Sequence, residues 1–210
     1  SDWLTTGPCV VEFEDEFAKV TRARHAVAVS SGTAALHVMM AALRIGPGDE
    51  VIVPAMTFAA TANCVVYQGG TPVFCDVDPA TLLIDHRDVA RKLTDRTRAV
   101  IAVDYAGQPC DYDALRAALP SHVSLLSDGC HALGGACGNR LVGSIGDMTA
   151  FSFHPVKHIT TAEGGAITTD DDELARRMRI IRNHGITSDH REREKRGSWF
   201  YEMVDLGFNY

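Results

Sequence analysis

Three short segments place residues able to do chemistry where an apolar strand gives way to something else. In Ser30-Ser31-Gly32-Thr33-Ala34, glycine and hydroxyl residues stand at a strand-to-helix junction. The free N–H groups and the positive dipole end of a helix starting there suit an anion, although the segment alone reads as well as an ordinary Ser/Thr helix cap. In Ser127-Asp128-Gly129-Cys130-His131, a carboxylate ends an apolar strand, at the edge of an open α/β sheet where ligands bind. An Asp there can hold a protonated ring nitrogen, because opposite charges in a partly desolvated site favour each other's charged form; a lone Asp is otherwise a helix cap. In Phe151-Ser152-Phe153-His154-Pro155-Val156-Lys157-His158, a lysine follows another strand end in an apolar, aromatic setting, whereas most lysines are surface charges.

Singly each signal is weak, and together they change the reading. A phosphate cradle, a strand-end Asp and a downstream strand-end Lys are the parts that pyridoxal 5'-phosphate requires: Lys157 to form a Schiff base, Asp128 to hold the pyridinium nitrogen, and the helix start around Gly32 to take the phosphate. A metal centre on Cys130, His131 and Cys137 lacks a fourth ligand at usual spacing and is set aside, so no metal is expected.

The elements that must position these residues alternate between β-branched runs and helix-period segments, the pattern of an α/β fold with a mainly parallel sheet. Strands are expected at His25 to Ser30, Glu50 to Val53, Pro72 to Val77, Ala99 to Asp104, Val123 to Ser127, Met148 to Phe153 and Gly165 to Thr169. Helices are expected at Gly32 to Ile45, Phe58 to Tyr67, Arg87 to Leu93, Tyr112 to Ala118 and Asp171 to Arg182, the last with Leu174, Met178 and Ile181 as its buried stripe. Gly134 to Gly146 reads as a loop or short hairpin, and Arg191 to Arg196 as a solvated charge run.

Composition narrows the class. A chain of 210 residues, 46% of them hydrophobic, buries one substantial core. A net charge of −7 without a basic stripe excludes nucleic acid as a partner. No apolar run approaches a membrane span and the first residues lack a signal-peptide pattern, so the expectation is a soluble, cytoplasmic protein. Of the six cysteines, none forms a CxxC pair, and Cys64, Cys75 and Cys110 read as reduced core residues.

At five places the sequence resembles the DegT/DnrJ/EryC1/StrS family of sugar aminotransferases: Trp3-Leu4-Thr5-Thr6-Gly7-Pro8, Ser31-Gly32-Thr33-Ala34-Ala35-Leu36, Pro54-Ala55-Met56-Thr57-Phe58, Asp128-Gly129-Cys130-His131-Ala132-Leu133-Gly134 and Gly207-Phe208-Asn209-Tyr210. The segment Ser152 to Gly165 is similar to the branch that aminates C4 of a UDP-linked 4-keto-6-deoxy hexosamine on the way to pseudaminic acid. The resemblance implies the large domain of fold-type I pyridoxal-phosphate enzymes, a mainly parallel seven-stranded sheet flanked by helices. It implies that 1–210 is that domain, shortened at both ends and without the small C-terminal domain.

Carried onto matching positions, Lys157 is the catalytic base and acid, and Asp128 pairs with the pyridine nitrogen. His131 lies near the phenolic oxygen, and Gly32, Thr33 and Ser152 take the phosphate. Phe58 stacks on the ring, Asn209 reaches the phosphate of a neighbouring subunit in a homodimer, and Thr5 and Thr6 lie near the sugar. Gly129 and Cys130 stand where Ala or Ser is usual. The implied substrates are a nucleotide-linked keto-sugar and an amino-acid donor, glutamate. Dehydratases of the family carry His in place of the Schiff-base lysine, which Lys157 argues against, and other fold-type I enzymes lack the surroundings of Gly32 and Lys157. A catalytically inactive large-domain core is the remaining alternative.

Overall fold

The computed structural model describes residues 7–187 and 201–210; Thr5, Thr6 and the charge run Arg191 to Arg196 lie outside the described residues. The first half of the chain runs α1 (Pro8–Thr21), β1 (His25–Val29), α2 (Gly32–Ala42), β2 (Glu50–Pro54), α3 (Ala59–Tyr67), β3 (Thr71–Cys75) and α4 (His86–Lys92). The second half runs β4 (Thr97–Val103), α5 (Tyr112–Ala118), β5 (Ser124–Asp128), the hairpin of β6 (Ala136–Cys137) and β7 (Arg140–Leu141), β8 (Met148–Ser152), β9 (Gly165–Thr169) and α6 (Asp172–Arg182).

The main sheet has seven strands in the order β1-β9-β8-β5-β4-β2-β3. β9 is antiparallel to both its neighbours and the remaining pairs are parallel, so β9 alone runs against the other six. The carboxyl ends of six strands and the start of β9 therefore share one edge. Strand side chains alternate between the faces with period two, which sorts the core into two layers. Val27, Val51, Val53, Ile101 and Ile167 pack on one side with α2, α3 and α6; Ala26, Ile52, Val100, Phe151 and Ala166 pack on the other with α1, α4 and α5. α2 is buried nearly all round, including Leu36, Met39 and Met40, as a helix without a polar face must be.

The structure adds one helix to the sequence reading and trims another. α1 was not expected, because Glu12, Glu14, Asp15 and Glu16 interrupt its apolar signal. Its start carries Pro8 in the first turn, and Phe13 and Phe17, one helical turn apart, pack against Phe151 and Phe153 at centroid distances of 5.1–5.6 Å. α2 stops at Ala42 rather than Ile45 because Arg44 takes a left-handed φ of 58° and the Ile45 N–H turns back to the Met40 carbonyl. Cys64, Cys75 and Cys110 are buried, and burial pushes the Cys64 and Cys75 thiols up to about 12. Among the described residues no helix is long and apolar enough to cross a membrane.

One edge of the sheet is closed by side chains. Among the described residues β1 pairs only with β9, which leaves backbone groups on its outer side. The buried Glu14 carboxylate accepts from the Ala28 N–H at 2.9 Å, and Arg182 bonds both Glu14 and, at 2.6 Å, the Ala28 carbonyl. Arg179 reaches the Ala26 carbonyl at 3.1 Å. α1 and α6 are thereby fastened to the edge that would otherwise template another strand. Removing one partner of such a buried pair strands the other. Glu14→Ala is expected to lower stability by about 3–5 kcal/mol in urea unfolding, and Lys19→Ala, which breaks an exposed pair with Glu16, to change it by less than about 1 kcal/mol.

Candidate active site

A cavity of about 480 Å³ opens at the edge where the strand ends meet. Ser31, Gly32 and Thr33 reach it from the end of β1, Thr57 and Phe58 from β2, and Val103 and Tyr105 from β4. Asp128, Cys130 and His131 come from β5, Ser152, His154, Val156 and Lys157 from β8, and Glu163 from the approach to β9. The structure thus gathers Gly32, Thr33, Phe58, Asp128, His131, Ser152 and Lys157 in one place. Asn209 lies outside the cavity of its own chain and bridges to Asn183.

At the start of α2, Ser31 is extended (φ −166°) and its hydroxyl accepts from the Ala34 N–H at 3.0 Å, while Ala35 N–H bonds to the Ser31 carbonyl. The N–H groups of Gly32 and Thr33 have no hydrogen-bond partner among the described residues, as expected of a first helical turn. Gly32 is required by closeness rather than by its torsions. A β-carbon there would stand 2.8 Å from Ser152 Cβ and 3.0 Å from Cys130 Sγ.

Asp128 is buried at the tip of β5. Its Oδ2 accepts the Thr61 hydroxyl at 2.7 Å and its Oδ1 the Cys130 N–H at 3.3 Å. Burial, and then the Asp128 charge, push the Cys130 thiol well above its ordinary value, so it stays protonated. The neighbouring strand ends in a second carboxylate, Asp104. It is enclosed by donors from Cys110 N–H, Ser127 hydroxyl and Tyr112 hydroxyl at 2.8–3.0 Å. Burial raises Asp104 to about 6 against those bonds, so it is ionised at neutral pH, and it serves the turn carrying Tyr105 rather than the cavity.

Lys157 stands on the connection between β8 and β9. That loop closes on itself through Phe153 N–H to Gly164 carbonyl (2.8 Å), Thr160 hydroxyl to Phe153 carbonyl (2.9 Å) and Lys157 N–H to His154 carbonyl (2.9 Å). His154 and Glu163 face each other across it at 3.9 Å. His131 titrates below an ordinary histidine, mainly because burial disfavours its charge and further because the Lys157 ammonium is near. At neutral pH it is a neutral imidazole with one N–H to give. An amine, a buried carboxylate, a neutral imidazole and two free backbone donors in one cavity suit a ligand with an anionic group, a basic ring nitrogen and a carbonyl carbon.

Sequence reasoning passed over Thr61, Tyr105, His154 and Glu163 as site residues. Thr57 was noted only within a motif. Tyr105 carried a usable signal, since it follows a strand-end Asp as Gly129 does. Thr57 and Thr61 carried another, a four-residue spacing across a helix start.

Residues 1–210 match the DegT/DnrJ/EryC1/StrS aminotransferase family. The chain is 47% identical over 210 residues to the spore coat polysaccharide biosynthesis protein SpsC of Bacillus subtilis, covering 99% of this chain and 54% of that protein. Among solved structures, Spr1654 from Streptococcus pneumoniae in its PMP form superposes with a TM-score of 0.92 at 37% identity, covering 99% of this chain and 58% of that one. Its PLP form gives 0.91 at 36%, covering 99% and 56%. Helicobacter pylori PseC, an aminotransferase involved in the biosynthesis of pseudoaminic acid, gives 0.88 at 33%, covering 100% and 55%. The chain spans a little over half the length of these relatives.

Two measurements check the site as built. Gly32→Ala forces a β-carbon onto Ser152 and Cys130; it is expected to cost about 1–3 kcal/mol, and inorganic phosphate is expected to raise the Tm of the unaltered chain but not that of the variant. In an NMR titration, His131 is expected to have its midpoint below the ordinary value of about 6.5. Removing the neighbouring positive charge with Lys157→Ala makes protonation easier, so the midpoint moves up.

Proposed function

The chain belongs to the DegT/DnrJ/EryC1/StrS aminotransferase family, and on that premise we propose that it forms the cofactor-holding part of a pyridoxal-phosphate-dependent sugar aminotransferase. The amino group passes from an amino-acid donor, glutamate, to a nucleotide-linked 4-keto-6-deoxy sugar, in the cytoplasm. The observation that carries the reading is the meeting of Lys157, Asp128 and the free N–H groups of Gly32 and Thr33 in one cavity from three separate strand ends. The PLP and PMP forms of Spr1654 support the cofactor, and the described role of PseC supports the substrate class.

The donor set fits the cofactor. The Gly32 and Thr33 N–H groups and the Ser152 hydroxyl suit a phosphate at a helix start, where the dipole favours negative charge. Asp128, backed by Thr61 and Cys130 N–H, suits the ring nitrogen. Phe58, three-quarters exposed at the mouth, offers an aromatic face to the ring. When bound, the cofactor supplies an electron-withdrawing ring that lets a C–H bond beside the amine break heterolytically.

The chain's own residues do the rest. Lys157 Nζ is the amine that would hold the cofactor, and as a free base it would carry the proton between the two carbons of the amine transfer. His131, neutral, would donate to the oxygen beside the reacting carbon. His154 and Glu163 line the 480 Å³ cavity, are both exposed and face each other at 3.9 Å, so the sugar would enter beside them. Exposed apolar side chains on α3 and β3, Val66, Tyr67 and Phe74, support a homodimer. In it Asn209 of a second copy reaches the phosphate.

Absorbance scans with pyridoxal phosphate before and after borohydride test this directly. A reduced adduct mapping to Lys157, absent in Lys157→Ala, is the expected result, with activity in added cofactor about 10²–10⁴-fold lower in the variant. Matching spectra and no trapped adduct would sink the proposal.

A further inference from the structure

The mechanism above leaves two hydroxyls unexplained. Thr61 is completely buried, does not line the cavity, and sits behind Asp128. Its hydroxyl donates to Asp128 Oδ2 at 2.7 Å and lies 2.7 Å from the Thr57 hydroxyl. A threonine has one proton to donate. Thr61 has committed its own to Asp128, so Thr57 must be the donor in the second bond. The two hydroxyls therefore form a directed chain, Thr57 to Thr61 to Asp128, in which each bond polarises the next. Local structure imposes it: Thr61 N–H closes on the Phe58 carbonyl in the first turn of α3, which sets Thr57 and Thr61 one turn apart.

The chain ends on one oxygen of the carboxylate and leaves the other to the N–H of Cys130, which like Asp128 lines the cavity. A carboxylate in so buried a place has few other donors to hold its charge. The neighbouring thiols cannot act as competing anions: Cys64 is held up at about 12 by burial and by the Asp128 charge. Resting on the reading of Asp128 as partner of the cofactor's ring nitrogen, we infer that Thr57 and Thr61 are positioning residues whose hydroxyl relay fixes the Asp128 carboxylate and keeps the proton on that ring nitrogen. With the relay in place, the pair is carboxylate and protonated ring. Without it, the buried charge loses a charge-assisted bond and the proton moves toward the carboxylate, leaving a neutral ring nitrogen.

The test uses pyridoxal phosphate labelled with nitrogen-15 in the ring, bound to the protein and to Thr61→Val, Thr61→Ser and Thr57→Val. In the unaltered protein the ring nitrogen should resonate as protonated at neutral pH. Thr61→Val should move it toward the neutral-ring position and weaken cofactor binding about tenfold, equivalent to about 1.4 kcal/mol. Thr61→Ser, which keeps the hydroxyl, should restore both, and Thr57→Val should move the resonance in the same direction by less. A purely structural role for Thr61 would lower the Tm of the cofactor-free protein without moving the resonance, and that result overturns the relay. Should Thr61→Val fail to fold, Thr57→Val decides, because an unchanged resonance there breaks the chain at its first link. If the unaltered protein gives no borohydride adduct at Lys157, the proposed function itself falls, whereas an adduct with identical resonances in all variants removes the relay alone.

Discussion

The backbone of Ser31 and Gly32 lies flat against the ends of β8 and β9, and the rest of the open edge depends on that contact. A β-carbon on Gly32 would meet Ser152 at 2.8 Å, and one on Gly165 would meet the Ser31 carbonyl at 2.4 Å. Two glycines on different elements thus let a helix start touch a strand pair with no side chain between them. α2 has no polar face, so it can rest only where the sheet, α3 and α6 cover it together. That burial drives its first turn onto the strand ends. Because the Lys157 loop joins β8 to β9, the packing that seats the anion-binding turn also seats the lysine.

Two buried carboxylates stand side by side on β4 and β5, and their surroundings give them different work. Asp104 has donors on both oxygens from Cys110, Tyr112 and Ser127, so its bonding capacity is taken up inside the fold. Asp128 has one firm donor in Thr61 and a longer one in Cys130 N–H, so it keeps acceptor capacity on the cavity side. A charged group that is incompletely satisfied by its own chain is costly unless a ligand completes it. The asymmetry separates a structural carboxylate from a site carboxylate without reference to any relative.

Much of this was legible in the sequence, for a physical reason that also marks where it fails. Strand period and strand-end chemistry are local properties, so β1, β2, β4, β5, β8 and β9 and the residues Gly32, Asp128 and Lys157 at their ends could be read off directly. Parallel strands then bring those ends together whatever their order. What depends on non-local packing could not be read. The stripe of α1 gains meaning only from Phe151 and Phe153, far along the chain. Both Asp104 and Asp128 end apolar strands in the sequence, and only the donors gathered around each tell them apart. Thr61 looked like a helix residue among alanines until Asp128 was placed against it.

The far end of the described chain shows how the site gains stiffness. His37 lies one helical turn beyond Thr33 on α2 and is buried, with burial lowering its pKa, so it is neutral. The Gln68 amide donates to its Nε2 at 2.7 Å, which places the ring proton on Nδ1, donated in turn to the Tyr210 hydroxyl at 3.0 Å. Phe208 packs on the same ring at a centroid distance of 4.4 Å, and the Phe208 N–H bonds to the Ile181 carbonyl at the end of α6. α2 is therefore clasped one turn behind its free N–H groups by α3 and by the segment that follows α6. A helix held there cannot tilt without breaking these bonds. The direction in which the Gly32 and Thr33 N–H groups point is thus set in part by a contact that spans 173 positions, and the free donors are pre-aimed before any anion arrives, which spares a ligand the cost of ordering them.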